Sequence, residues 1–260
     1  MSPQDTFPPH IQKRVKYFKD LAPDEQEQVK AALEGVIKMQ IDPYLQHITE
    51  NSDRALRLIN MYVTRLRKRG LVKSTRDGSE DILRAVVVLI HASLEDFLRT
   101  LAERFLPYAD EKTLNSIPLA GLSGRAEKFA LGKLVQHKGK SVDRLIQESV
   151  QEHLNRSNYN DIQEVASLLE SLGFDLSEQR ASFPTIDAMI KRRHQIVHRG
   201  DIVKSGNSGH SVAPMSLGDV MKWAKTTYAF MFSLFPSISG KQIDLQLKQK
   251  ALESNGTNKQ

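Results

Sequence analysis

The sequence predicts an all-α protein. Apolar residues recur at three- and four-residue spacing over long stretches, and Pro and Gly fall at the ends of those stretches. Only residues 201–214, rich in Gly and Ser, read as a loop with room for a short β-hairpin, around Ser205-Gly206-Asn207-Ser208-Gly209.

The elements follow in order. Pro23-Asp24 opens a helix that runs towards Gln40, and Asp42-Pro43 breaks it. A second helix starts near Asn51-Ser52-Asp53 and stops before Gly70. At ~100° per residue, Leu56, Ile59, Val63 and Leu66 fall on one side. Arg54, Arg57, Met61, Arg65 and Lys68 fall on the other, a basic outer face open to solvent or to RNA. The turn Arg76-Asp77-Gly78-Ser79 marks a boundary. The longest pattern, residues 81–106, then carries Ile82, Val86, Ile90, Leu94, Phe97, Leu101 and Phe105 on one stripe, and Pro107 ends it. His91, Glu95 and Arg99 stand one turn apart beside that stripe. Shorter helices are expected over residues 124–137, 142–154 and 161–172, the last capped by Gly173. Pro184 opens a helix that stops at Gly200. The last strong helix runs from Ser216 to Phe235, with Val220, Trp223, Thr227, Phe230, Met231 and Leu234 on its apolar face. Beyond Ser239 the chain is polar and expected to fray.

Composition narrows the function classes. Of 260 residues, 40% are hydrophobic and 26% charged, enough for a packed core. There is no cysteine, which excludes disulfides and thiolate metal sites. The N-terminal MSPQDTFPPHIQKR lacks the apolar run of an export signal, and no stretch reaches membrane-span length, so a cytoplasmic protein without a membrane partner is expected. The net charge of +6 favours an anionic partner, RNA first. From Arg54 to Arg76 there are eight Arg or Lys residues and no acid.

Two motifs fail on inspection. Gly139-Lys140-Ser141 is no phosphate loop, because Leu134 stands where the leading Gly is needed and no strand precedes it. His194-x-x-x-His198 has the spacing of two metal ligands on one helix face, and Asp201 could be a third. Gln195, however, replaces the Glu that a zincin helix carries, and no metal or other cofactor is expected.

The helix over residues 184–199 carries the chemistry. Its apolar stripe is Ile186, Ile190 and Val197, and Arg193 lies on the same side, an unusual place for a charge. His194 and His198 share a neighbouring face, and Arg192 and Arg199 add positive charge. Such a set can cleave RNA without a metal. Imidazole can take the 2′-OH proton or supply one to the leaving 5′-oxygen, and guanidinium can neutralise the phosphorane. The same residues could equally solvate a helix C-terminus, which basic groups favour.

Arg193-His194-Gln195-Ile196-Val197-His198 resembles the R-x4–6-H motif of the HEPN superfamily, in the form with a polar residue directly after the Arg. Phe183-Pro184 to Ile190, His198-Arg199-Gly200-Asp201 and the helix up to Leu234 resemble the second half of such a domain. Ile90-His91-Ala92-Ser93-Leu94-Glu95-Asp96-Phe97-Leu98-Arg99 resembles its long early helix, and the closest subgroup is the RiboL-PSP-HEPN type. The resemblance implies a helical bundle that dimerises, with two motifs around one cleft. It further implies a metal-independent endoribonuclease, often a toxin or anti-phage effector held by an antitoxin or another regulatory protein. By the same resemblance Arg193 would neutralise the scissile phosphate, His198 would transfer protons and His194 would assist. Glu95 would be a support. The charge pattern, apart from the resemblance, offers Arg192, Arg199, Arg54, Arg57, Arg65 and Lys68 as RNA contacts and Asp201 as a further support, and residues 1–75 have no counterpart in the resemblance. Arg192 also satisfies the motif spacing, so the choice of Arg193 rests on His194 following it.

The expected organisation is an N-terminal helical extension over residues 1–75, a HEPN-like domain over 76–238 and a polar tail over 239–260. Two other functions stay open. One is a HEPN-like module that binds RNA or protein without turnover; the other is a metal-dependent hydrolase built on His194, His198 and Asp201.

Overall fold

A computed structural model describes residues 44, 46, 48–65, 79–121, 131–205 and 209–256. The expected helix over residues 23–40, and Leu66 and Lys68, lie outside them. Residues 44–238 form one compact unit; the stretch from Ser239 onward belongs to a second and is helical to residue 256.

The unit is a helical bundle around one central helix. Residues 48–65 form α1, whose buried residues are Ile48, Ala55, Ile59 and Tyr62, with Tyr44 just before it. The inward face is therefore rotated from the expected one: Ile59 is kept, but Leu56 is 50% exposed. Small Ala55 admits close approach and aromatic Tyr62 fills the volume, a choice that apolar spacing does not register.

α2, Ser79–Phe105, is the axis of the bundle. Glu80 and Asp81 in its first turn suit the positive helix end, and Pro107 ends it in a 3-10 turn, Leu106–Tyr108. Leu83, Val86, Val87, Ile90, Leu94, Phe97, Leu98 and Leu101 are fully buried, so α2 is covered on more than one side. Phe97 meets Tyr44 and Phe235 edge-on, each with ring centroids 6.2 Å apart.

A single turn, α3 (Glu111–Leu114), is capped by Asp110, whose carboxylate accepts from Thr113 N at 2.8 Å. Of the helix expected over residues 124–137, the described part, Leu131–His137, is a 3-10 helix. α4 (Val142–Arg156) and α5 (Ile162–Ser171) carry Ser141 and Asp161 as N-caps. Gly173, at φ +74°, follows α5 in the left-handed conformation that its lack of Cβ permits.

α6 (Phe183–Arg199) opens with Pro184 in its first turn and ends at Gly200, φ +57°. A two-stranded antiparallel hairpin follows, β1 (Ile202–Ser205) with β2 (Gly209–Val212), pairing Ile202 with Val212. α7 (Leu217–Ser233) is capped by Ser216, whose hydroxyl accepts from Asp219 N at 3.0 Å. It packs on α2 and α6 and buries Val220, Thr227, Phe230 and Met231, with Phe230 edge-on to Phe183 of α6, while Trp223 is half-buried. α8 (Phe235–Gly256) continues helical beyond Ser239, where the polar sequence had suggested fraying. No helix among the described residues is long and apolar enough to cross a membrane.

Candidate active site

The site is built where α6 crosses α2 and the loop between α4 and α5. Ile186, Met189 and Ile190 seat α6 in the core. The expected stripe does not continue to Val197, which is 50% exposed. The last two turns of α6 thus leave the core, which brings the motif to the surface.

Arg193 is half-buried, and its Nη1 donates to Asn160 Oδ1 at 3.0 Å. Its Nε is buried with no hydrogen-bond partner. Against it stands the polar stripe of α2. His91 is 1% exposed, and its Nε2 donates to the Tyr159 carbonyl at 3.1 Å; a carbonyl only accepts, so the ring proton sits on Nε2. His91 Nδ1 lies 3.8 Å from Glu95 Oε2. Burial, then the nearby Arg193 cation, push the His91 pKa below its ordinary value, which keeps the ring neutral. Glu95 accepts from Arg99 at 3.0 Å, and Arg99 also donates to the carbonyls of Leu154 and Ser157. A guanidinium thus caps the C-terminus of α4 and fixes the loop that carries Tyr159 and Asn160. Glu95, expected as a support, acts on Arg99 and lies beside His91.

His194 and His198 are exposed one turn apart, with ring centroids 4.4 Å apart and planes at 40°. Arg193 and His198 point to different faces of α6, as a separation of about 140° on an ideal helix requires. Arg199 is exposed.

Arg192 differs from its expected part as an RNA contact. Its Nη2 donates to Asp201 Oδ2 at 2.8 Å and to the carbonyls of Ala213 and Pro214 at 3.1 and 2.9 Å. A guanidinium so occupied belongs to the framework. Asp201 is 0% exposed and also binds Arg84, Nε to Oδ2 at 2.8 Å. A carboxylate buried between two cations is not placed to join exposed His194 and His198 around a metal ion. No cluster of three or more potential ligands occurs among the described residues.

On α1, Arg54, Arg57 and Arg65 are exposed, as expected of the basic face, and Arg54 donates to Asn51 Oδ1 at 3.4 Å.

Sequence reasoning missed Asn160, Tyr159 and Arg84. The turn-like run Ser157-Asn158-Tyr159-Asn160-Asp161 was the available signal for the first two. Arg84 stands one turn after Glu80 and Asp81 and pairs with both, a spacing that by itself marks only a helix surface.

No curated protein and no solved structure matches the chain. The sequence model of the RiboL-PSP-HEPN family matches residues 50–234, a span from α1 through α7 that contains the whole arrangement above. The chain belongs to the RiboL-PSP-HEPN family, and that membership points to a nuclease- or RNA-related role.

Proposed function

We propose that the protein is a metal-independent endoribonuclease acting as a homodimer. The observation that carries this reading is the arrangement on α6. A guanidinium is steadied by Asn160 with its Nε still unbonded, and two exposed imidazoles stand 4.4 Å apart within the next turn and a half.

The 2′-oxygen attacks phosphorus, its proton passes to an imidazole, and the P–O5′ bond breaks as a proton reaches O5′. The products are a 2′,3′-cyclic phosphate and a free 5′-hydroxyl. His198 transfers the protons, His194 assists, and Arg193 neutralises the charge gathering on the phosphorane oxygens. Asn160 holds Arg193 in place through an uncharged acceptor, which a phosphate can outcompete. Arg54 and Arg57 extend the RNA contact along α1; reversing both to Glu lowers affinity and flattens its salt dependence, since fewer counterions are released.

The test is cleavage of labelled RNA by purified protein with and without EDTA. Cleavage persists in EDTA, leaves cyclic phosphate ends, and disappears in His198→Ala. RNA carrying 2′-O-methyl at the cut site resists. Loss of cleavage in EDTA, restored by zinc or manganese, sinks the reading.

A second reading, RNA or protein binding without turnover, is favoured by one observation: Arg193 turns towards Asn160, away from His198 of its own helix. RNA bound but uncut under all conditions would establish it. The family resemblance also suggests a toxin or anti-phage effector restrained by a regulatory protein. Growth arrest on expression of the wild type, absent with His198→Ala, tests that setting.

A further inference from the structure

The paired imidazoles of α6 are equipped for a second chemistry besides proton transfer. His194 and His198 are both exposed at positions i and i+4, with ring centroids 4.4 Å apart and planes at 40°. Neither ring makes a hydrogen bond or an ion pair among the described residues, so each neutral ring keeps one nitrogen lone pair unengaged.

The spacing is close to what a single metal ion requires. Two imidazoles bound side by side at a right angle, with metal–nitrogen bonds of about 2.0 Å, hold their centroids roughly 4.5 Å apart. At a tetrahedral angle the same bonds give roughly 5.2 Å. Small rotations of two exposed side chains cover either difference, and nothing in the core has to move.

The local charges permit a cation there. Arg192 is tied to Asp201 and Arg193 turns to Asn160 on another face of the helix. Lys191 pairs with Asp187 at 2.6 Å. Arg199 is exposed beside His198, and the negative C-terminal end of α6 offsets its charge. Asp201 is sealed away at 0% exposure, so the chain offers two ligands and not three. A two-ligand site holds its ion reversibly and leaves the other coordination positions to water. Imidazole donors favour copper, nickel and zinc over magnesium and calcium, which prefer oxygen.

We propose that His194 and His198 chelate a divalent copper, nickel or zinc ion, and that the bound ion blocks RNA cleavage. The lone pairs that hold the ion are the ones needed to accept the 2′-hydroxyl proton, so a metal-loaded ring cannot serve as base. The site stands on the geometry of α6 alone; the block rests on the ribonuclease reading above.

The full chain, stripped with EDTA and dialysed, is titrated by calorimetry with zinc, nickel, copper(II) and magnesium chlorides. Zinc binds at one ion per chain with a Kd on the order of 10 µM, copper binds most tightly, and magnesium does not bind. His194→Ala and His198→Ala each weaken zinc binding about tenfold or more, because one imidazole cannot chelate. His153→Ala, on α4, leaves it unchanged. Circular dichroism of the two α6 variants matches the wild type, since both positions are exposed. In wild-type protein, saturating zinc lowers the cleavage rate about tenfold or more, the loss follows the binding curve, and EDTA reverses it. No saturable zinc or copper binding overturns the site, as does binding that both α6 variants retain. An ion bound at the pair with cleavage unchanged overturns the block. If the wild type cuts no RNA, the nuclease reading fails by itself, and the titration still decides the site.

Discussion

Arg192 folds back across the end of its own helix to Asp201, Nη2 to Oδ2 at 2.8 Å, tying the motif helix to the start of the hairpin. Arg84, from the opposite side, meets the same oxygen at 2.8 Å. Both guanidinium groups also donate to the Ala213 carbonyl, and Ala213 N donates to the Asp201 carbonyl at 2.8 Å. One buried carboxylate therefore joins α2, α6 and both ends of the hairpin, just after the motif helix ends.

Removing that charge takes from Arg192 its carboxylate partner and leaves Arg84 with the more exposed Glu80 and Asp81 alone. Asp201→Asn should destabilise the fold by about 3 kcal/mol, in line with breaking buried ion pairs. Asn tolerates the left-handed backbone that Asp201 adopts at φ +59°, so the loss reports charge and not backbone strain. Arg192→Met should cost less, because Arg84 still neutralises Asp201. Urea unfolding of the two variants and the wild type gives the order; equal stability of Asp201→Asn and wild type would refute the argument.

His91 gives a pH dependence with a definite sign. Its folded pKa lies below the unfolded value of about 6.5, so the unfolded chain binds more protons between the two. Stability is full above that value and falls as pH drops from it through the folded pKa. His153, shifted in the same direction, adds to the loss. His91→Gln keeps a donor for the Tyr159 carbonyl but cannot titrate. Between pH 7 and 5, its unfolding midpoint should fall less than that of the wild type; parallel losses would place the effect elsewhere.

Asn160 should govern how readily Arg193 leaves for a phosphate. Asn160→Asp replaces the uncharged acceptor of the Arg193 guanidinium with a carboxylate, strengthening the contact by about 1–1.5 kcal/mol, and should raise KM for RNA roughly tenfold. Asn160→Ala releases Arg193 and should raise KM less while lowering kcat, since the guanidinium loses its orientation. Steady-state kinetics at low salt separates the two. An Asp variant that binds RNA as well as the wild type would show that Arg193 does not engage phosphate.

The motif helix and its stop at Gly200 were legible because Pro184, the apolar spacing and the glycine all act locally. So was the long axis of the bundle. The roles of the arginines were not. Arg192 and Arg193 are adjacent and chemically identical, and only tertiary partners separate them: Asp201 for the first, Asn160 for the second. Arg84 shows the same limit, since its decisive partner is 117 positions away. α1 kept its basic face, but its buried side turned towards Ala55 and Tyr62 because packing volume outweighed hydropathy at Leu56.

The separation of Arg193 and His198 leads to the last prediction. Arg193 is half-buried against Asn160, whereas His198 is exposed on another face of α6. One chain therefore does not aim both at a single phosphate, but two chains about a two-fold axis can. The surface beside His198 suits such a contact. Val197 is 50% exposed, and Ile202 and Val212, directly opposite in the hairpin and so on one face, are 48% and 54% exposed. An isologous interface is the commonest way to cover such a surface. A charge introduced at Val212, as Val212→Asp, should yield monomers in light scattering and abolish cleavage while leaving helical CD unchanged. Chain mixing then tests the sharing of groups. Arg193→Ala and His198→Ala homodimers should both be inactive, and their heterodimer keeps one Arg193 facing one His198 across the axis. Equal mixing should recover up to about one quarter of wild-type activity, since random pairing makes half the dimers mixed and each mixed dimer holds one of two sites. No recovery, with mixed dimers demonstrated by mass spectrometry, would place each site within one chain or require all four groups. A monomer that still cleaves RNA would defeat the dimer altogether.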